Sequence, residues 1–260
     1  MVYIFLILLL FPLAPKASSE TLTFGYSEAC PHMCPNDENK GFTADITKEV
    51  LEKFGHKVKF VAQPWGRAVK NANEGKLTGI ICTGKEESPL LVYPELEHGL
   101  QDDCFYGRKE DNWQPKGPFS FESRKTIIFK GWVYEKEYKE KFGLKKYFEI
   151  FREFSLDNNY IPRGLELVTQ NRIDAFWNDA TVYTYFIKQN NLEEKTKNIK
   201  QLGCIRQQKL YMGISPKFKK LAKKLTKQFD AGMKELRQSG GVEKIMAKYG
   251  LRDWRASGSL

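Results

Sequence analysis

The stretch from Gly41 to Thr83, GFTADITKEVLEKFGHKVKFVAQPWGRAVKNANEGKLTGIICT, constrains the fold more than any other part of the chain. Phe42, Ile46, Val50, Leu51 and Phe54 recur at i, i+3/i+4, which predicts a helix with one buried face over 42–54. Gly55 ends it, because glycine takes the left-handed C-cap conformation without steric cost. Lys57–Val61 alternates and predicts a strand. Pro64 opens a second helix, where a missing N–H is harmless, with Trp65, Ala68, Val69 and Ala72 as its apolar face and Gly75 as its stop. Gly79–Cys82 is a short apolar run of the kind buried in parallel sheets. Helix, strand, helix and strand with short joins form an α/β unit.

The rest of the chain supplies a second set of such signals. Leu22–Tyr26 alternates and predicts the first strand, followed by a polar loop to Lys40. Residues 99–113 predict a strand with a polar exit, and Pro115, Gly117 and Pro118 mark a linker or turn. Thr126–Lys130 predicts a strand, then a helix over about 135–142, an aromatic strand or helix edge over 147–154, and a helix over 161–171. LYMGI closes a strand ending at Ile214. Pro216 opens an amphipathic helix to about Gln238, with Phe218, Leu221, Leu225, Phe229, Met233 and Leu236 on one face. Gly240–Gly241 break it, and Val242–Tyr249 forms a last helix. At 260 residues the chain is long enough for two modest domains, each with a core.

The formal net charge of +10 raises the question of an anionic partner. The lysines are spread along helices, as over 217–227, which is the pattern of a solvated face, and no zinc-finger spacing, P-loop or RNA-binding signature is present. No nucleic-acid partner is expected. Residues 1–19 read as a signal peptide: Ile4–Leu13 is apolar apart from Pro12, and the small residues Ala17, Ser18 and Ser19 follow. That run is too short to span a bilayer, and no cysteine follows it to take a lipid anchor, so a periplasmic protein without a membrane anchor is expected. The tail 255–260 is small and polar and is expected to be disordered.

Exported cysteines meet oxidising conditions. The count is five, Cys30, Cys34, Cys82, Cys104 and Cys204, so at least one is unpaired within a monomer. Cys30 and Cys34 share a turn-rich loop in which a local bridge is sterically possible. A metal reading of Cys30, His32 and Cys34 offers three ligands at most and lacks the second ligand pair of a structural zinc site. Neither a metal nor a cofactor is expected.

A helix beginning GF-x-x-D, a strand, a PW-x-R-A helix and a G-K-L-x-G-I strand together resemble the first lobe of bacterial type 2 periplasmic solute-binding proteins, in the subfamily associated with amino-acid ABC transporters. The ending LRQSGGVEKIMAKYGL…W is similar to the LR-x-SG…I-x-x-YG-x-x-W ending of the same family. The resemblance implies an α/β fold of two lobes, each a mixed sheet flanked by helices, joined by two crossing strands as a hinge. It places the first part of lobe one at 20–110, lobe two at 111–202 and the return to lobe one at 203–254. Cys104 and Cys204 fall near these crossings and can therefore also pair.

The same resemblance implies site residues. An aromatic after the first strand covers the ligand, and Tyr26 is the candidate. NRIDAFWND matches the family's G-R-x-D-A strand, with Asp174 structural and Asp179, five residues on, taking the ligand's ammonium group; an N-cap for the following helix is the other reading, and both can hold together. Gly131 keeps the strand-to-helix turn whose backbone N–H groups hold anionic ligand atoms, but Trp132 follows in place of a small hydroxyl residue, and reads as a stacking wall or as core. Family members that bind amino acids carry an arginine shortly after the position of Thr83, which forks onto the ligand carboxylate. Lys85, Glu86, Glu87 and Ser88 stand there instead, leaving Arg67 or Lys85 as alternative cations. Tyr26, Trp65, Arg67, Thr83, Trp132 and Asp179 are thus the expected binding set. The expected function is a monomeric receptor that closes over a small polar ligand, an amino acid or a related compound, and hands it to a membrane permease or sensor. The alternatives are an orphan sensory receptor for another solute and a dehydratase of cyclic acids; the scattered His32, His56 and His98 and the lack of a nucleophile–base arrangement disfavour an enzyme.

Overall fold

The computed structural model describes residues 21–255 except residue 158, so the leader and the last five tail positions lie outside the described residues. Arg255, expected to open a disordered tail, is instead held: its Nε donates to Glu97 Oε1 at 2.7 Å.

Lobe one is built from β1 (Thr21–Tyr26), α1 (Phe42–Glu52), β2 (Lys57–Ala62), α2 (Trp65–Asn73) and β3 (Gly79–Thr83). β2 and β3 both pair in parallel with β1, as the Gly41–Thr83 pattern requires. Pro64 sits one residue earlier than expected, as the N-cap of α2 with extended ψ, because the residue ahead of the first helical turn donates no intrahelical bond. Lobe two contains β5 (Thr126–Phe129), α3 (Glu135–Ile150), β6 (Phe151–Phe154), α4 (Tyr160–Thr169), β7 (Ala175–Asp179) and α5 (Ala180–Gln189). Its parallel strands are β6, β5 and β7. α3 runs further than the expected 135–142, but its axis breaks at Gly143, where φ is +72°.

Two long strands join the lobes. β4 (Gly99–Arg108) and β8 (Ile199–Ile214) pair antiparallel along the whole of β4. β8 also pairs with β3 of lobe one, and β4 with β7 of lobe two. Among the described residues the sheet order is β2-β1-β3-β8-β4-β7-β5-β6. The ladder between the two long strands slips between Asp103 and Cys104 and again between Phe105 and Tyr106, and Cys104 faces Cys204 between these irregularities. The two cysteines form a disulfide, as do Cys30 and Cys34, and Cys82 remains a buried thiol.

Two separate cores follow from this topology. The first gathers Leu22, Phe24, Phe42, Ile46 and Val50 against α6 (Lys219–Gln238) and α7 (Gly241–Ala247). The second is aromatic, with Phe105, Phe121, Tyr138, Tyr147, Phe151 and Phe176. The buried face of α6 is Ala222, Leu225, Phe229, Met233 and Leu236, with Phe218 lying ahead of the helix at 36% exposure. Tyr249, just past α7, donates its hydroxyl to Asp45 and accepts the Gly41 N–H, both at 2.9 Å, which ties the chain's end to the start of α1.

Candidate functional site

The carboxyl ends of β1, β3, β5, β6 and β7 converge on one cleft, the place where open α/β sheets bind ligands. A cavity of about 640 Å³ opens there. Its lobe-one wall is the loop after β1, with Glu28, His32 and Asp37, together with Trp65, Cys82 and Glu87. Its lobe-two wall holds Phe129, Asp157, Tyr160, Trp177 and Asp179, with Tyr185 from α5. A second chamber of about 630 Å³ shares Trp65, Glu87 and Phe129 with the first and extends over Gly131, Trp132 and Glu135.

Asp179 stands on the cavity wall and has three internal partners. Its Oδ1 accepts the Val182 N–H at 2.8 Å as the N-cap of α5 and meets His32 Nε2 at 3.1 Å. Its Oδ2 accepts the Asp102 N–H at 2.9 Å. The capping and cleft readings of this residue therefore coincide. The His32 contact links the β1–α1 loop of lobe one directly to the end of β7 in lobe two. Asp174 accepts the Lys125 N–H at 2.8 Å and pairs with Arg108 at 3.3 Å, the structural role expected of it.

The other expected residues are placed unevenly. Trp65 lines both chambers. Tyr26 is 4% exposed, packs its ring 5.4 Å from Phe60 and is not among the described lining residues: its side chain alternates to the core face of β1, and the following loop supplies the wall. Trp132 is 2% exposed and stacks on Tyr138, so it is core first, with one edge on the second chamber. Thr83 is fully buried and donates to the Gly84 carbonyl at 3.2 Å. Arg67 is exposed on α2 and lines neither chamber, while Lys85 lies over the Tyr211 ring at 4.3 Å. Neither alternative cation reaches the cavity.

The region after Thr83 has a cluster that the sequence did not reveal. Glu87 accepts from Gln208 Nε2 at 2.6 Å and pairs with Arg206 at 3.2 Å. Arg206 also bonds Asp103 Oδ2 through Nε at 2.8 Å and lies 3.5 Å from Glu86. Asp103 is buried, which pushes its carboxyl pKa up, and Arg206 opposes that shift. Glu28 is raised too, by burial and then by Asp37. These partners lie 103 to 121 residues apart, beyond the reach of any local pattern. The backbone N–H groups expected to hold ligand acceptors are also engaged: Gly84 N–H points to Glu87 at 3.4 Å, and Gly131 N–H donates to Glu135 at 3.1 Å.

No protein-family model and no curated protein matches the chain in sequence. Solved structures do match in fold. A histidine kinase sensor domain with similarity to periplasmic binding proteins aligns at TM-score 0.68 and 16% identity, over 89% of this chain and 96% of that one. An ancestral arginine-binding protein bound to arginine aligns at 0.65 and 20%, over 88% and 97%. A putative L-cystine ABC transporter protein from Listeria monocytogenes aligns at 0.64 and 17%, over 88% and 95%. The chain thus has the two-lobe fold of the type 2 periplasmic solute-binding proteins, spanned over nearly its whole described length.

Proposed function

We propose that this chain is an exported solute receptor that closes its two lobes over a small ligand bearing an ammonium or similar cationic group. The observation that carries this reading is the cavity itself: both lobes contribute strand ends to it, and Asp179 offers a carboxylate at its wall. Bending about the two crossing strands is the closure motion. The closed form then docks on a membrane permease or a sensor, and the likeness to a sensor domain and to a transporter protein supports both partners equally. The disulfides and the apolar leader support the periplasm as its compartment. No chemistry on the ligand is required, and among the described lining residues no nucleophile is paired with a base.

The test is a thermal-shift screen of the exported chain with amino acids, amines, small dicarboxylates, sugars and cyclic acids. A ligand at ~100 times its dissociation constant, binding only the native state, stabilises by about 2.7 kcal/mol, a rise of several degrees in Tm. A cationic compound is expected to produce that rise. Asp179→Asn, which keeps an acceptor for the Val182 N–H but sets its amide NH2 against the Asp102 N–H, is expected to lower the ligand-free Tm and to abolish most of the ligand-induced rise. A ligand response unchanged by Asp179→Asn removes that residue from the site.

A further inference from the structure

The cleft's charge is opposite to that of the chain. The protein carries a formal charge of +10. Yet Glu28, Asp37, Glu87, Asp157 and Asp179 line the 640 Å³ cavity, and among the described lining residues there is no lysine or arginine. A ligand carboxylate needs a guanidinium, an ammonium or free backbone N–H groups. Arg206 approaches Glu87 from the crossing strand, but it stands among three carboxylates, Asp103, Glu87 and Glu86. The two turns with suitable N–H groups are covered by the chain's own Glu87 and Glu135. Arg206 and these two turns therefore already face anions of the protein, and the lysines of the adjoining chamber, Lys136 and Lys139, pair with Glu140 and with Glu135 and Glu153.

Two buried polar groups without a partner belong to residues of the same cavity wall. Tyr160 is 1% exposed and its hydroxyl has no hydrogen-bond partner; His32 is 3% exposed and its Nδ1 has none. Both residues line the cavity. Buried polar atoms are normally satisfied, so both hold unused hydrogen-bonding capacity beside the cavity. Trp65, Phe129, Trp177 and Tyr185 add aromatic surface, whose faces attract cations. Burial holds the Tyr160 phenol well above its ordinary pKa, so it stays protonated and presents oxygen lone pairs to an N–H donor.

We propose that the ligand is an aliphatic amine or guanidinium cation that carries no carboxylate. This rests on the receptor reading above and narrows it, because it separates the ammonium site from any partner for an α-carboxylate. Ammonium or guanidinium N–H groups would donate to Asp179 and to the Tyr160 oxygen, with the alkyl chain along Trp65 and Phe129.

Matched pairs differing only in the carboxylate test the proposal by calorimetric titration: arginine against agmatine, and lysine against 1,5-diaminopentane. The amine of at least one pair is expected to bind at least about tenfold more tightly than its amino acid. Tyr160→Phe is expected to weaken the amine while leaving the far-UV spectrum and ligand-free Tm intact. Glu87→Ala, which frees the Gly84 N–H and unloads Arg206, is expected to shrink the preference by raising amino-acid affinity. Equal or tighter binding of the amino acids overturns the proposal and leaves the receptor reading standing. Binding by neither member of either pair also overturns it, and the broader screen then decides the receptor reading: a sugar or dicarboxylate that shifts the Tm keeps it, and a screen without any shift removes it.

Discussion

His98 illustrates how single residues are set by their surroundings. It is fully buried behind β3, where its Nε2 accepts the Cys82 N–H at 3.1 Å and its Nδ1 faces Thr47 Oγ1 at 3.1 Å. The Thr47 hydroxyl itself donates to the Thr43 carbonyl, so Nδ1 carries the ring proton and the imidazole is neutral. Burial lowers its pKa from 6.5 to about 3. A depressed native pKa means the unfolded state binds the proton first as pH falls. The stability His98 contributes is full above pH 6.5 and is lost as pH drops toward 3, at about 1.4 kcal/mol per unit. Urea unfolding should therefore show a loss of about 2 kcal/mol from this residue between about pH 7 and about pH 5. His98→Gln should lack that component of the slope, and a variant with the wild-type slope would exclude His98 as its origin. Legibility at this scale was divided. The place of Asp179, at the end of β7 and as N-cap of α5, was readable because both signals are local and agree. Glu87 and Arg206 were not, because these residues, 119 positions apart, meet only once β3 pairs with β8. The burial of Tyr26 was not legible, because strand alternation fixes which side a residue faces only once the core side is known.

At the scale of elements, the apolar patterns carried most of the information. Gly79–Thr83 reads as a buried parallel strand; every residue in it is buried, and it runs parallel to β1 on one side but antiparallel to β8 on the other. The full length of β8 was not legible: its lobe-two half, from Ile199 to Gln208, is largely polar and half-buried, and only pairing with β4 makes it a strand. The crossing pair is held by covalent bonding as well as by the ladder. The Cys104–Cys204 bridge closes a loop of 100 residues that contains all of lobe two. In the chain-entropy view such a loop stabilises by about 4–5 kcal/mol, and removal of native disulfides typically costs ~2–5 kcal/mol. The Cys104→Ser/Cys204→Ser double variant should lose stability in that range in urea unfolding. The equivalent change at Cys30 and Cys34, four residues apart, closes too short a loop to match it. An equal loss from both pairs would contradict the loop-length account.

For the whole molecule, the two-lobe plan was legible from the order of elements and from the family-like ending. The seam between the lobes was not, because a cleft is made of side chains drawn from distant strand ends. The receptor reading predicts a change of shape. The radius of gyration, near the ~18 Å of a compact chain of this length, should fall on adding the amine that gives the largest thermal shift, as measured by small-angle X-ray scattering. A ligand that binds with no contraction would argue for a cleft already closed by the His32–Asp179 contact. The slipped registers on either side of Cys104 give this motion a definite mechanical character. Irregular pairing raises local twist and loosens a ladder, whereas the cystine between the slips forbids the two strands to slide past each other. On the receptor reading the joint would act as a pinned torsion spring, with translation locked out and rotation retained, so that the lobes reopen along the arc by which they closed. Such a constraint would return the same docking face after every cycle, at the expense of the range of ligand sizes the cleft can enclose.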